Sequence, residues 1–159
     1  SIRKLTDEQM DAMWQSGPMA AFRFMQVCFA HLRETKGCVI NMGSGSGILP
    51  AAAMAGYAMA KEAERTLSRV GAIEWGRFGI RVNSICPGAI RTPINMEAWD
   101  TPEAYGDLMK LIPYKRIGEA DEIGRAAVWL ASDYADYVHG ISLFVDGGMT
   151  LYPGFETGG

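Results

Sequence analysis

The chain has 159 residues, 48% of them apolar and 21% charged, with a formal net charge of −3. That is enough for one domain with a hydrophobic core, while the weak acidity offers no basic surface to nucleic acid or an anionic membrane. Apolar runs are too short to span a bilayer, and three cysteines (Cys28, Cys38, Cys86) without a CxxC pair argue for reduced core thiols in a cytoplasmic protein.

The text opens on Ser1 and runs straight into a helix signal, with no charged-then-apolar leader, so secretion is not expected and the chain reads as cut from something longer. Thr6-Asp7-Glu8-Gln9 fits a capping box with Thr6 as N-cap. The helix that follows is interrupted at Gly17-Pro18, where a kink is expected because proline has no N–H for the preceding turn. It resumes through Phe22, Met25, Phe29 and Leu32 and is expected to stop at Gly37. His31 on this helix and the distant His139 lie near no carboxylate pair, so no metal site is expected.

Cys38 to Met42 is a short apolar run, expected as a strand buried on both faces. A glycine-serine loop follows, Gly43 to Gly47, and then a helix from about Tyr57 to Phe78, stopped by Gly79. Ile80 to Ile85 reads as a second strand, closed by Pro87-Gly88. Residues 89–113 are a long excursion containing a short helix opened by Thr101-Pro102-Glu103, and such excursions are usually lids or binding loops. Residues 119–131 read as a helix with Ile123, Ala127 and Leu130 on one face, and Ile141 to Asp146 as a third strand. Strands alternating with helices, buried and closely linked, predict one α/β domain built on a parallel sheet.

Ser44, Tyr57 and Lys61 carry the chemistry. Tyr57 and Lys61 are four apart on one helix and share a face. A free tyrosine titrates near about 10 and is a poor proton carrier at neutral pH, but a cation one turn away favours its phenolate. Ser44 follows the first strand, at the end where open parallel sheets present ligands. By itself, Tyr-x-x-x-Lys arises often by chance on exposed helices. Serine is common in glycine-rich loops for turn reasons alone. Asn83, in a buried strand, is expected to tie backbone groups together.

The surroundings make the pattern specific. Val39-Ile40-Asn41-Met42-Gly43-Ser44 resembles the strand and serine of the short-chain dehydrogenase/reductase family. Ser44 precedes Tyr57 by 13 residues, the family's spacing, which selects Ser44 over Ser46. Gly56-Tyr57-Ala58-Met59-Ala60-Lys61 resembles its tyrosine–lysine motif, and Gly79 to Gly88 its next strand and Pro-Gly turn. Ile90-Arg91-Thr92-Pro93 and Val145-Asp146-Gly147-Gly148 match later elements, so the likeness covers nearly the whole chain in order.

The resemblance implies a Rossmann-like, doubly wound parallel sheet, present here as its C-terminal part. It implies hydride transfer between NAD or NADP and a secondary alcohol or ketone. Tyr57 would exchange the proton, Lys61 would favour the phenolate and bind the nicotinamide ribose, and Ser44 would hold the substrate oxygen. Pro87, Gly88, Ile90 and Thr92 would line the nicotinamide end. Met96 and Trp99 are expected as substrate contacts, although they and Tyr105 equally suit the apolar side of a lid. The apolar content of 94–112 favours an apolar substrate. The family also implies a homo-oligomer, tetramer or dimer, packed through the helices around 18–34 and 57–78.

Two departures stand out. The family's usual asparagine, about 27 positions before the serine, falls on Gly17, so the proton relay from Lys61 is expected to be altered. The glycine-rich phosphate turn is missing, as is the residue that would choose NAD or NADP. A sheet edged by Cys38–Met42 would expose apolar backbone, and a longer protein with an N-terminal half is expected. The competing readings are a scaffold that keeps the fold without binding cofactor, and a lyase or dehalogenase, a reading that the retained Lys61 weakens.

Overall fold

The computed structural model describes residues 1–151. Helix α1 (Asp7–Ser16) starts on the expected box: the Gln9 N–H donates to Thr6 Oγ1 at 3.3 Å and the Thr6 N–H to Gln9 Oε1 at 3.2 Å. The chain breaks at Gly17 (φ −99°, ψ −104°) and restarts as α2 (Pro18–Thr35), with proline in the first turn where a missing N–H costs nothing. The expected kink is a full break. The helix stop differs too: the left-handed residue is Lys36 (φ 52°), and the Gly37 N–H then donates to Leu32 O at 3.0 Å. Backbone closure thus falls one residue earlier than the glycine suggested.

Strand β1 (Cys38–Met42) is followed by α3 (Ala55–Trp75) and a 3-10 turn, Gly76–Phe78, that ends on left-handed Gly79. Strand β2 (Arg81–Pro87) comes next, then β3 (Ile90–Arg91), a 3-10 segment Pro93–Ala98, α4 (Pro102–Leu111), β4 (Gly118–Glu119), α5 (Ala120–Ala131) and β5 (Ser142–Val145). Thr101 caps α4 as expected, its Oγ1 accepting from the Ala104 N–H at 3.1 Å.

The main sheet is parallel with order β1-β2-β5, in the register Val39 opposite Val82 and Ile85 opposite Leu143. Helices lie on both faces. Met25 of α2 and Ala72 of α3 pack with Ile80 and Val82, and Leu130 of α5 packs with Ile85 and Ala135 on the other side. This is the doubly wound α/β arrangement. Among the described residues only β2 is buried on both faces; β1 is half-buried and its Met42 is 46% exposed, because there it has a neighbour on one side only. The expectation of two-sided burial therefore holds for the central strand and fails for β1.

Polar side chains inside the core serve the backbone. Asn83 donates to Val138 O at 2.9 Å and accepts from the Ile141 N–H at 3.1 Å, as its buried position foretold. His139 accepts from the Val82 N–H through Nδ1 and meets Ala72 O through Nε2 at 2.8 Å, which puts its proton on Nε2. All three cysteines are free thiols, but only Cys86 is a core residue; Cys28 is exposed on α2. Burial pushes the Cys86 thiol above its ordinary range. Among the described residues no helix is long and apolar enough to cross a membrane.

Candidate active site

The carboxyl ends of β1, β2 and β5 open on the same side of the sheet, where parallel sheets present ligands. After β1 the chain turns at Ser44, whose backbone is still extended and whose hydroxyl accepts from the Ser46 N–H at 3.1 Å. That bond caps a 3-10 turn, Gly45–Gly47, laid directly on α3. A Cβ at Gly47 would sit 3.1 Å from the Glu62 N, so the serine loop reaches the helix at this distance only with glycine there. Ser44 itself is 9% exposed.

Tyr57 lies in the first turn of α3 and Lys61 one turn later. The Lys61 ammonium donates to Met42 O at 2.8 Å, two residues before Ser44, and to Glu64 Oε2 at 2.7 Å. An ammonium has three donors, so one is left over. The Tyr57 side chain is half-exposed, and its hydroxyl has no hydrogen-bond partner among the described residues. The pattern singled out in the sequence is thus assembled through the strand end: one lysine bond ties the helix pair to the backbone that carries the serine.

Beside Ser44 lies a cavity of about 440 Å³. Pro87 and Gly88 line it from the end of β2, and Trp99, Leu108 and Leu111 from the excursion after β3. Its polar lining residues are Ser44, Ser46, Asn95 and Thr150, and among the described residues none of its lining side chains is charged. Met96, 58% exposed, is outside that lining, while its neighbours Asn95 and Ala98 are in it. Ile90 lines a separate cavity with Arg116 and Gly118, and Thr92 starts the 3-10 segment, its Oγ1 accepting from Asn95 Nδ2 at 3.3 Å. The sequence missed Met149 and Thr150, brought to the cavity by the turn after β5. There Asp146 accepts from the Gly148 N–H and from both the N–H and hydroxyl of Thr150. It also missed Glu64, whose place three residues after Lys61 on the same helix was the available signal.

The base of the excursion is closed by the parallel pair β3–β4, Ile90 opposite Gly118 and Arg91 opposite Glu119. Just beyond, Arg116 grips Glu122 with two bonds, 2.7 and 2.6 Å. Hydrogen bonding from Arg116, with help from the Glu119 N–H, brings the Glu122 carboxyl down to about 2. Among the described residues no group of three His, Cys, Asp or Glu side chains converges as a metal would require.

Residues 1–150 match the profile of a family described as enoyl-(acyl carrier protein) reductase. The chain is 48% identical over 126 residues to 3β-hydroxysteroid dehydrogenase 1 of Eggerthella lenta, a match covering 79% of this chain and 48% of that protein. It is 39% identical over 149 residues to the 12α-hydroxysteroid dehydrogenase of a Clostridium species, covering 93% and 58%. Among solved structures, the gluconate 5-dehydrogenase of Burkholderia cenocepacia, in complex with NADP and tartrate, superposes with a TM-score of 0.90 at 31% identity, covering 95% of this chain and 60% of that one. The chain spans about half the length of the curated relatives it matches.

Proposed function

Because the chain belongs to the short-chain dehydrogenase/reductase family, we propose that it forms the catalytic part of an NAD(P)-dependent oxidoreductase acting on secondary alcohols and ketones. The observation that carries this reading is the 2.8 Å bond from Lys61 to Met42 O, which ties the tyrosine–lysine pair to the strand end that presents Ser44. In reduction, the Tyr57 hydroxyl gives its proton to the substrate oxygen; in oxidation, the phenolate takes the alcohol proton. The lysine cation stands one turn away on the same helix. Ser44 donates to the same oxygen and holds it beside the tyrosine.

The residues present fit the nicotinamide end of a cofactor. Tyr57 has a free hydroxyl, Lys61 keeps one donor unused, and the Pro87–Gly88 turn faces the Ser44 cavity. Tyr57, Lys61, Pro87, Gly88, Ile90 and Thr92 would hold it, with Ile90 and Thr92 contributing from the chain just after the turn. The bound nicotinamide supplies or accepts the hydride; position and polarity come from the protein.

The cavity supports an uncharged, apolar substrate. Trp99, Leu108 and Leu111 offer ring and aliphatic surface, and among the described residues the lining has no cation to pair with a sugar acid. Met96, exposed between the lining residues Asn95 and Ala98, would meet no more than the outer end of a large substrate. Alicyclic alcohols such as the hydroxysteroids for which two of the relatives are named suit this lining better than gluconate. The purified protein, incubated with NADH or NADPH and 2-decalone, cyclohexanone or 5-ketogluconate, is expected to consume reduced nicotinamide fastest with decalone. Preference for the keto acid would overturn the substrate reading, and no turnover with any of them the reaction itself.

Assembly with copies of itself, as tetramer or dimer, is supported by apolar side chains left bare on α2 and α3: Phe24, Val27 and Ile73 are 73%, 78% and 83% exposed. A cytoplasmic setting is supported by the free thiols.

A further inference from the structure

Glu64 is a buried acid that the reaction above does not use. It is 5% exposed, on the inner face of α3, and a carboxylate in such a place is stable only when paired. Its partner is Lys61, at 2.7 Å. Space for it comes from a different helix: a Cβ at Gly17, in the break between α1 and α2, would lie 3.2 Å from Glu64 Oε1 and 3.0 Å from Met13 O. A side chain at 17 would oblige the carboxylate to shift by a few tenths of an ångström. Two irregularities, a glycine where the family has an amide and an acid inside a helix face, therefore meet at one point.

We propose that Glu64 is a positioning residue for Lys61, and that the glycine at 17 is there to admit it. The ammonium is held from two sides, by the Met42 carbonyl of β1 and by the Glu64 carboxylate of its own helix. With two donors committed, the third has a fixed direction, and the cation stays near Tyr57 without swinging into solvent. Glu64 also continues inward. Its backbone carbonyl accepts from Ser68 Oγ at 2.9 Å, and Ser68 Oγ accepts from Asn41 Nδ2 at 2.8 Å, so the α3 turn bearing the acid is tied again to β1. Lysine side chains carry much rotamer freedom; this clamp removes it before substrate arrives.

The inference rests on the proposed role of Lys61, so its test has two arms. In the first, Glu64→Leu and Glu64→Gln are assayed with NADPH or NADH and 2-decalone. The leucine variant is expected to lose on the order of tenfold to a hundredfold in kcat with KM for the ketone little changed. Glutamine, which keeps an acceptor for the ammonium, is expected to recover most of the loss. Leucine and glutamine variants that both retain wild-type kcat would overturn the proposal while leaving the reaction standing.

The second arm needs no activity. Thermal unfolding of Lys61→Met, Glu64→Leu and the double variant is expected to be non-additive, the double losing no more than the worse single. Spectra of 15N-lysine-labelled protein are expected to show one protected ammonium, absent in Glu64→Leu. Additive losses, or no such signal, would overturn the clamp even if the wild type proved inactive, in which case it is the catalytic reading that fails.

Discussion

Ser44 and Trp99 face the same cavity, but the regions they belong to are held by different means. On the serine side hydrogen bonds tie Ser44 to Ser46, Lys61 to Met42 and Glu64, and Asp146 to Gly148 and Thr150, leaving the Tyr57 hydroxyl without a partner among the described residues. On the tryptophan side, residues 93–111 are a 3-10 segment and a short helix with no fully buried side chain, and Ile94 is 89% exposed. One region is a floor fixed by hydrogen bonds to the sheet; the other is an exposed excursion that lends the cavity the apolar surface of Trp99, Leu108 and Leu111. Hydrogen bonds fix atoms to tenths of an ångström, which proton transfer needs. Apolar contact is tolerant of shape, which suits a surface that selects among hydrocarbon frames.

The contrast predicts that floor substitutions act on kcat and lid substitutions on KM. The largest effect is expected from Tyr57→Phe, which keeps the ring and removes the proton carrier. Loss of kcat should be about 10²- to 10⁴-fold, with the thermal midpoint little changed since the hydroxyl has no partner among the described residues. Undiminished turnover would break the comparison at its centre. Ser44→Ala should cost about 10²- to 10³-fold in kcat, read in the same assay. Across the cavity, Trp99→Ala should raise KM for 2-decalone by about tenfold, the scale of part of an aromatic side chain's burial, and leave kcat nearly unchanged. A kcat loss as large as that of Ser44→Ala would show that the lid also positions the reacting atoms.

The smallest effect concerns the lid's anchorage. The Glu122 carboxyl lies at about 2 in the folded protein, below its ordinary 4.5, chiefly because of Arg116. A group lowered on folding contributes stability that is complete above its unfolded value and is lost as pH falls toward the folded one. Wild type should therefore exceed Glu122→Gln in thermal midpoint at pH 7, and the gap should close between about pH 4.5 and 2. A gap that stays constant would separate the lid's anchorage from this ion pair.

The floor was far more legible in the sequence than the lid or the clamp. Tyr57, Lys61 and Ser44 are each weak alone and stand out through the spacing and motifs around them, and Asn83 by being the amide in a buried strand. Each is a local signal. Glu64 has one as well, its distance from Lys61, but it is buried against a glycine in the break between α1 and α2, and no short window along the chain contains both. The β3–β4 pair has two residues per strand, too few for an alternation to register. Lys36 took the left-handed turn expected of Gly37, since helix ends are settled by which carbonyl the backbone can reach. Met96 and Trp99 look equivalent as apolar loop residues; whether a turn of 3-10 helix aims one inward and the other out is decided only in three dimensions.

The β3–β4 ladder also bears on how such a molecule can change over generations. Because Ile90–Arg91 and Gly118–Glu119 meet side by side, the excursion between them leaves and re-enters the sheet at one spot. A loop whose ends are pinned grows cheaply, each doubling of its length costing only about 0.6 kcal/mol in closure entropy. The segment 93–111, whose 3-10 turn and helix carry no buried side chain, can thus be lengthened, shortened or grafted from a relative while the strands beneath keep their register, so new substrates are within reach of mutations that never touch the proton-transferring groups.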